Sequence, residues 1–200
     1  MNIIITGGNS DIATYISMKL ENSNFMVYRP SKEELDVTSE LSVESYFAST
    51  PVDILINCAG TLYSSNIIDS CPKLWIRDIN VNLIGTYLTC RMALIHNPKC
   101  RIINISSTAA FNAYNDWSSY CASKSGVLKI SKALELDNFN VVTLCPGAID
   151  TKIRKNLTID NPNLMNLEEG CSPILDAINN AYSSGAVIFY RKNEFKILEN

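Results

Sequence analysis

Tyr120-Cys121-Ala122-Ser123-Lys124 sets a phenol and an amine four residues apart, on one face if the segment is helical. A free phenol, with a pKa of about 10, holds its proton too tightly for efficient exchange at neutral pH. A nearby ammonium favours phenolate, so the pair is expected to lower Tyr120 toward a useful range. The same spacing occurs by chance on many helices, and the surroundings have to decide. Ser106-Ser107 directly follows an apolar run, residues 101–105. A hydroxyl at that strand's C-terminal edge faces the crevice where doubly wound sheets bind ligands. Asn82 stands in Asn80-Val81-Asn82-Leu83-Ile84-Gly85, inside a long helical stretch, where an asparagine is usually just tolerated or solvent-facing.

A second group of residues has the makings of a nucleotide site. Thr6-Gly7-Gly8-Asn9-Ser10-Asp11-Ile12-Ala13 lies between an apolar strand and a helix. Glycine permits a tight turn and close approach to a pyrophosphate, and the helix start adds free amides and a positive dipole end. Read alone, the segment is also compatible with a plain glycine turn in which Asp11 is the N-cap. Tyr28-Arg29-Pro30-Ser31 ends the second strand with a cation and a hydroxyl in place of a carboxylate. That favours a 2′-phosphate, and hence NADP(H) over NAD(H), unless Arg29 is merely a solvated strand end.

The elements that must position these groups alternate along the chain. Residues 1–5, 25–28, 53–57, 101–105, 140–144 and 186–190 read as strands. Helices are expected over residues 11–20, about 73–95, 117–136 and about 172–183. Continuous apolar strands point to a parallel sheet covered on both faces. The fold class is α/β, a doubly wound, mostly parallel Rossmann-type sheet with helices on both faces, in one domain spanning 1–200. Residues 148–171 are the least regular.

Composition narrows the function. With 17 basic and 20 acidic residues the net charge is −3, which argues against a nucleic-acid binder working through bulk electrostatics. Seven cysteines, odd in number and without C-x-x-C spacing, read as buried free thiols in a reducing compartment. With one histidine, His96, a Cys/His zinc site has little support, and no metal is expected. Residues 3–5 are too short an apolar run for a signal peptide, and nothing approaches a membrane span. A cytoplasmic protein is expected, with no membrane partner.

The loop Thr6 to Ala13, Asn57-Cys58-Ala59-Gly60, Asn82, Ser107, Tyr120-x-x-x-Lys124 and Pro146-Gly147-Ala148-Ile149-Asp150-Thr151 occur together in one order and spacing. That set resembles the short-chain dehydrogenase/reductase family, in its compact rather than its extended branch. The resemblance covers Met1 to about Thr151. It implies that Tyr120 donates a proton to a carbonyl oxygen in reduction, or removes one from an alcohol in oxidation. Lys124 is implied to lower the Tyr120 pKa and bind the nicotinamide ribose. Ser107, selected over Ser106 by the family's spacing, would hydrogen-bond the reacting oxygen. Asn82 would hold a water linking Lys124 to solvent. Gly7, Asn9, Ser10, Asp11 and Ile12 would cradle the pyrophosphate, with Arg29 and Ser31 at the adenosine 2′ position. Asp36 and Val37 would contact adenine, and Asn57, Ala59 and Gly60 would line the adenosine side. Pro146, Gly147, Ile149 and Thr151 would close over the nicotinamide. The partner is implied to be a small carbonyl or alcohol substrate, and the assembly a homodimer or homotetramer.

The sequence also departs from the family pattern. Asp11 and Ala13 stand where glycine is usual, so a carboxylate comes near the pyrophosphate. The short run from Ser31 to Asp36 leaves no room for the usual helix, which makes this a truncated member. The substrate lid, about residues 152–170, is short. Lys152, Arg154 and Lys155 cluster there, compatible with a phosphate or carboxylate on the substrate or with a solvated helix face. Phe111, Tyr114 and Trp117 supply one pocket wall or ordinary core packing. A non-catalytic nucleotide-binding protein of the same fold is the competing function, though such relatives commonly lack the tyrosine or lysine. A hydrolase lacks its G-x-S-x-G elbow.

Overall fold

The computed structural model describes residues 1–154, 157 and 161–198. Strands and helices follow one another as β1 (Asn2–Ile5), α1 (Asp11–Leu20), β2 (Met26–Tyr28), α2 (Glu40–Ser49), β3 (Ile54–Asn57), α3 (Pro72–Ile79), α4 (Gly85–His96), β4 (Arg101–Ile105), α5 (Ser118–Leu136), β5 (Val141–Pro146), α6 (Leu167–Ile178), β6 (Val187–Arg191) and β7 (Glu194–Leu198). The sheet order is β2-β1-β3-β4-β5-β6-β7. Six strands are parallel and β7 returns antiparallel on β6.

Side chains on a strand alternate between its two faces, so each strand feeds two cores. Ile3 and Ile5 of β1 join Ala13 and Ile16 of α1 and Ile174 and Ile178 of α6 on one face. Ile4 joins Val43 and Phe47 of α2 and Cys90 and Ala93 of α4 on the other. β3, β4 and β5 are buried along their whole length, as strands covered on both sides must be. The strand order reverses beside β1: β2 lies on one flank and β3 on the other. That switch point opens a crevice at the C-terminal strand ends.

Several elements differ from expectation. The helical stretch about residues 73–95 is two helices joined by a π-helical turn, Asn80–Ile84, with Asn82 buried inside it. α6 starts at Leu167 because Asn166 and Glu169 form a capping box, and it runs on through Pro173. α2 is capped by Ser39 and buries only Val43 and Phe47, too few apolar positions to stand out in the sequence. β7 pairs back through a turn in which Asn193 takes a φ of 63°. Residues 29–39 contain turns and no helix, in keeping with a truncated crossover after β2.

All seven cysteines are free: Cys71 is exposed, Cys58 half-buried and the other five buried. Among the described residues no helix is long and apolar enough to cross a membrane.

Candidate active site

The loops leaving β1, β3, β4 and β5 enclose a cleft of about 680 Å³ at the switch point. The first turn owes its shape to glycine. Gly7 has a φ of +68°, and a Cβ there would lie 2.8 Å from Ala59 Cα. A Cβ on Gly8 would collide with the backbone of Arg29 and Pro30. Thr6 Oγ1 accepts from the Cys58 and Ala59 amides at 3.1 and 3.0 Å, fastening the turn to the end of β3.

Ser10, not Asp11, caps α1: its hydroxyl accepts from the Ala13 amide at 3.2 Å. Asp11 is the first helical residue and turns across the cleft. Its Oδ2 accepts from the Lys152 amide at 2.6 Å, and its Oδ1 lies 3.2 Å from Lys152 Nζ. The carboxylate thus ties the first turn to the loop after β5.

Asn9, Ser10, Asp11, Ile12, Gly60, Ser107, Tyr120, Lys124, Pro146, Gly147, Ile149 and Thr151 all line this cleft. Gly7 forms the base of its first turn. The remaining candidates stand outside the lining. Arg29 Nη1 donates to Gly8 O at 2.5 Å and to Thr14 Oγ1 at 3.0 Å, so the guanidinium lies along the glycine turn. The Ser31 amide donates to Glu34 at 2.7 Å, which brings a carboxylate to this end. Asp36 accepts from the Thr38 hydroxyl and amide at 2.7 and 2.9 Å, and the hydroxyl bond holds its carboxyl below the ordinary value. Val37 is buried against Gly85. Asn57 turns its side chain into the core, donating to Asn104 at 2.9 Å and accepting from Thr89 at 2.7 Å. Lys155 lies outside the described residues.

The two serines after β4 divide their work. Ser106 donates to the Lys124 carbonyl at 2.8 Å, bracing α5. Ser107 faces the cleft: its hydroxyl accepts from the Ala109 amide at 3.1 Å and lies 3.5 Å from Pro146 O, near enough to the Tyr120 phenol to lower its pKa. Burial outweighs that and pushes Tyr120 up to about 12. Lys124 is also desolvated, which brings it down to about 8. The downward shift expected for Tyr120 is therefore reversed in direction. Lys124 Nζ sits 5.7 Å from the Tyr120 ring centroid and donates to Ile105 O at 2.9 Å. Its charge lies over the ring, and desolvation prevails at both heads.

Asn82 spends its side chain on protein partners. Its Oδ1 accepts from the Thr61 amide at 2.8 Å, and its Nδ2 donates to Thr61 O and Ser123 Oγ at 2.9 and 3.0 Å. Sequence reasoning missed Asp78, one helical turn before Asn82 and fully buried. It accepts from Thr61 Oγ1 and the Tyr63 amide, both at 2.7 Å, and from Ser119 Oγ at 2.9 Å. The only trace in the sequence is the matching spacing of Asp78 and Asn82 with Ser119 and Ser123. Arg77, also missed, is among the residues lining the cleft.

The chain matches the family model described as short chain dehydrogenase over residues 31–162. That span holds Asn82, Ser107, Tyr120 and Lys124 and excludes the glycine turn. An uncharacterized oxidoreductase of Staphylococcus aureus strain N315 is 29% identical over 161 residues, covering 76% of this chain and 68% of that protein. One from Staphylococcus saprophyticus is 27% identical over 166 residues, covering 76% and 70%. In fold, the chain is similar to a small-chain dehydrogenase crystallised with NADPH, at a TM-score of 0.85 and 20% identity, covering 95% of this chain and 96% of that one. A short chain dehydrogenase of Burkholderia cenocepacia J2315 in complex with NADP gives 0.80 and 22%, covering 89% and 84%. With two thirds of its length inside the family model, and its sheet matching those structures, this chain belongs to the short-chain dehydrogenase/reductase family of oxidoreductases.

Proposed function

We propose that the protein interconverts a carbonyl and a secondary alcohol on a small polar substrate, using NADP(H), with Tyr120 as the acid–base group. The convergence of Tyr120, Ser107 and Lys124 on one cleft that begins at the glycine turn carries this reading. The turn suits a dinucleotide: Gly7 and Gly8 exclude side chains, and the α1 N-terminus adds its dipole. Asn9, Ser10 and Ile12 would hold the pyrophosphate, and Pro146, Gly147, Ile149 and Thr151 the nicotinamide end. When bound, the nicotinamide supplies or accepts hydride at the substrate carbon. In reduction, the Tyr120 hydroxyl gives its proton to the carbonyl oxygen while the Ser107 hydroxyl donates a hydrogen bond to that oxygen. Lys124 offers ammonium charge beside the phenol as it becomes phenolate. With Tyr120 at about 12, its proton-donating form prevails at neutral pH. Oxidation needs phenolate and is therefore expected to accelerate as pH rises.

The phosphorylated cofactor is favoured by Arg29 on the glycine turn and by a β2 end without a carboxylate of its own. Glu34 beside Ser31 acts against it. The substrate side carries Arg77 and Arg154, and Arg154 is near enough to lower the Tyr120 pKa. Among the described residues no carboxylate pairs with Arg154, so an anionic group on the carbonyl compound fits there. Subunits pair through the apolar stripe of Ile76, Ile84, Tyr87 and Ile95, all exposed along α3 to α4.

Fluorescence titration with NADPH and NADH, on wild type and Arg29→Ala, tests the cofactor assignment. Wild type is expected to prefer NADPH, and the variant to lose about tenfold for NADPH alone, the size of one charge-assisted hydrogen bond. A preference for NADH would overturn it. Tyr120→Phe should bind NADPH normally and reduce none of a carbonyl panel that wild type turns over.

A further inference from the structure

Asp78 is fully buried, and water reaches none of it. Removing a carboxylate from water is costly unless donors replace the solvent, and an apolar side chain would serve stability as well. Here the replacement is extensive. The Thr61 hydroxyl and the Tyr63 amide donate from the loop after β3, and the Ser119 hydroxyl donates from the first turn of α5. Arg77 Nη2 adds a longer contact at 3.3 Å. All four groups donate and none accepts, the environment of an ionised carboxylate.

The placement of these donors matters more than their number. Ser119 immediately precedes Tyr120, and Thr61 immediately follows Gly60 in the cleft lining. One turn along, Asn82 repeats the arrangement, holding Thr61 through its backbone and Ser123 through its hydroxyl. Asp78 and Asn82 are thus two rungs between the π-turn region and α5. Their feet, Ser119 and Ser123, each precede one of the two reactive side chains.

We infer that Asp78 is a positioning residue for the reaction: it clamps the α5 turn bearing Tyr120 and Lys124 to the loop after β3. The inference rests on the reading of Tyr120 and Lys124 as the acid–base pair. The Asp78 charge also reaches both groups, favouring the ammonium of Lys124 and the neutral phenol of Tyr120. The other titratable groups facing Lys124 are Cys58 after β3, Cys145 on β5 and Tyr120 itself. Arg77 is the cation facing Asp78.

Two readouts on Asp78→Asn test the clamp without any substrate. The first is the Lys124 titration by NMR of isotope-labelled lysine, assigned with Lys124→Met. Removing the anion lowers the Lys124 midpoint further from about 8. The second is amide hydrogen exchange, expected to quicken about tenfold over residues 118–124 while α6 keeps its rate. A less stable protein with an unmoved midpoint would make Asp78 merely structural and sink the proposal, as would unchanged exchange. Should Asp78→Asn fail to fold, Ser119→Ala cuts only the α5 foot. Faster exchange over 118–124 with residues 61–63 unaffected supports the clamp, and wild-type exchange overturns it. A Tyr120→Phe enzyme that still reduced carbonyls would refute the acid–base reading alone, because neither readout depends on turnover.

Discussion

Arg154 is the side chain on which the proposed preference for an anionic substrate rests. It stands in the short helical turn Lys152–Arg154, lines the cleft and lowers the Tyr120 pKa. Its neighbour Lys152 has a different task, being held by Asp11. Of the two described basic residues in that cluster, Arg154 lines the cleft with no carboxylate partner among the described residues. Replacing it by Ala should raise KM for a carboxylated carbonyl substrate about tenfold or more, with little change for its uncharged analogue and none in NADPH affinity. Steady-state kinetics on the matched pair of substrates decides this, and an equal effect on both would remove the anion assignment. The size follows from losing one charge-assisted contact in a partly desolvated site.

Among the elements, the join between β1 and α1 is the least forgiving. Gly8 packs directly under the backbone of Arg29 and Pro30, and its amide donates to Pro30 O at 3.0 Å. Gly8→Ala forces β2 away from β1 and should cost about 1–3 kcal/mol, the usual range for overpacking, seen as a lower urea midpoint. Cofactor affinity should fall with it, because the same backbone shapes the turn. A variant as stable as wild type would show that β2 yields easily. The turn and the parallel strands were legible because glycine and branched apolar runs leave local marks. The grouping of Ser107, Tyr120 and Lys124 was read through the family resemblance, since the Tyr–Lys spacing alone occurs on many helices. Asp78 was not legible, because its meaning lies in partners distant along the chain. α2 and β7 were obscured by polar residues covering modest apolar faces. The fate of Tyr120 depended on desolvation, which spacing alone does not reveal.

At the scale of the whole molecule, the exposed stripe from Ile76 to Ile95 runs down the helix pair α3 and α4, whose π-turn holds Asn82. Burying such a stripe against a second copy would remove apolar area from water and brace the helices behind the site. Tyr87→Glu is expected to shift the protein to monomers in light scattering while far-ultraviolet circular dichroism stays native. A wild-type protein already monomeric at high concentration would discard the pairing face. The buried sulfurs have a consequence of another kind. Burial pushes Cys90, Cys100, Cys145 and Cys171 each up to about 12, which leaves roughly one thiolate in 10⁵ at neutral pH. Peroxides and electrophiles attack the thiolate, so four core sulfurs are chemically quiet while the fold is intact. Cysteine here serves as a small apolar filler, and the interior carries little redox liability despite its sulfur content.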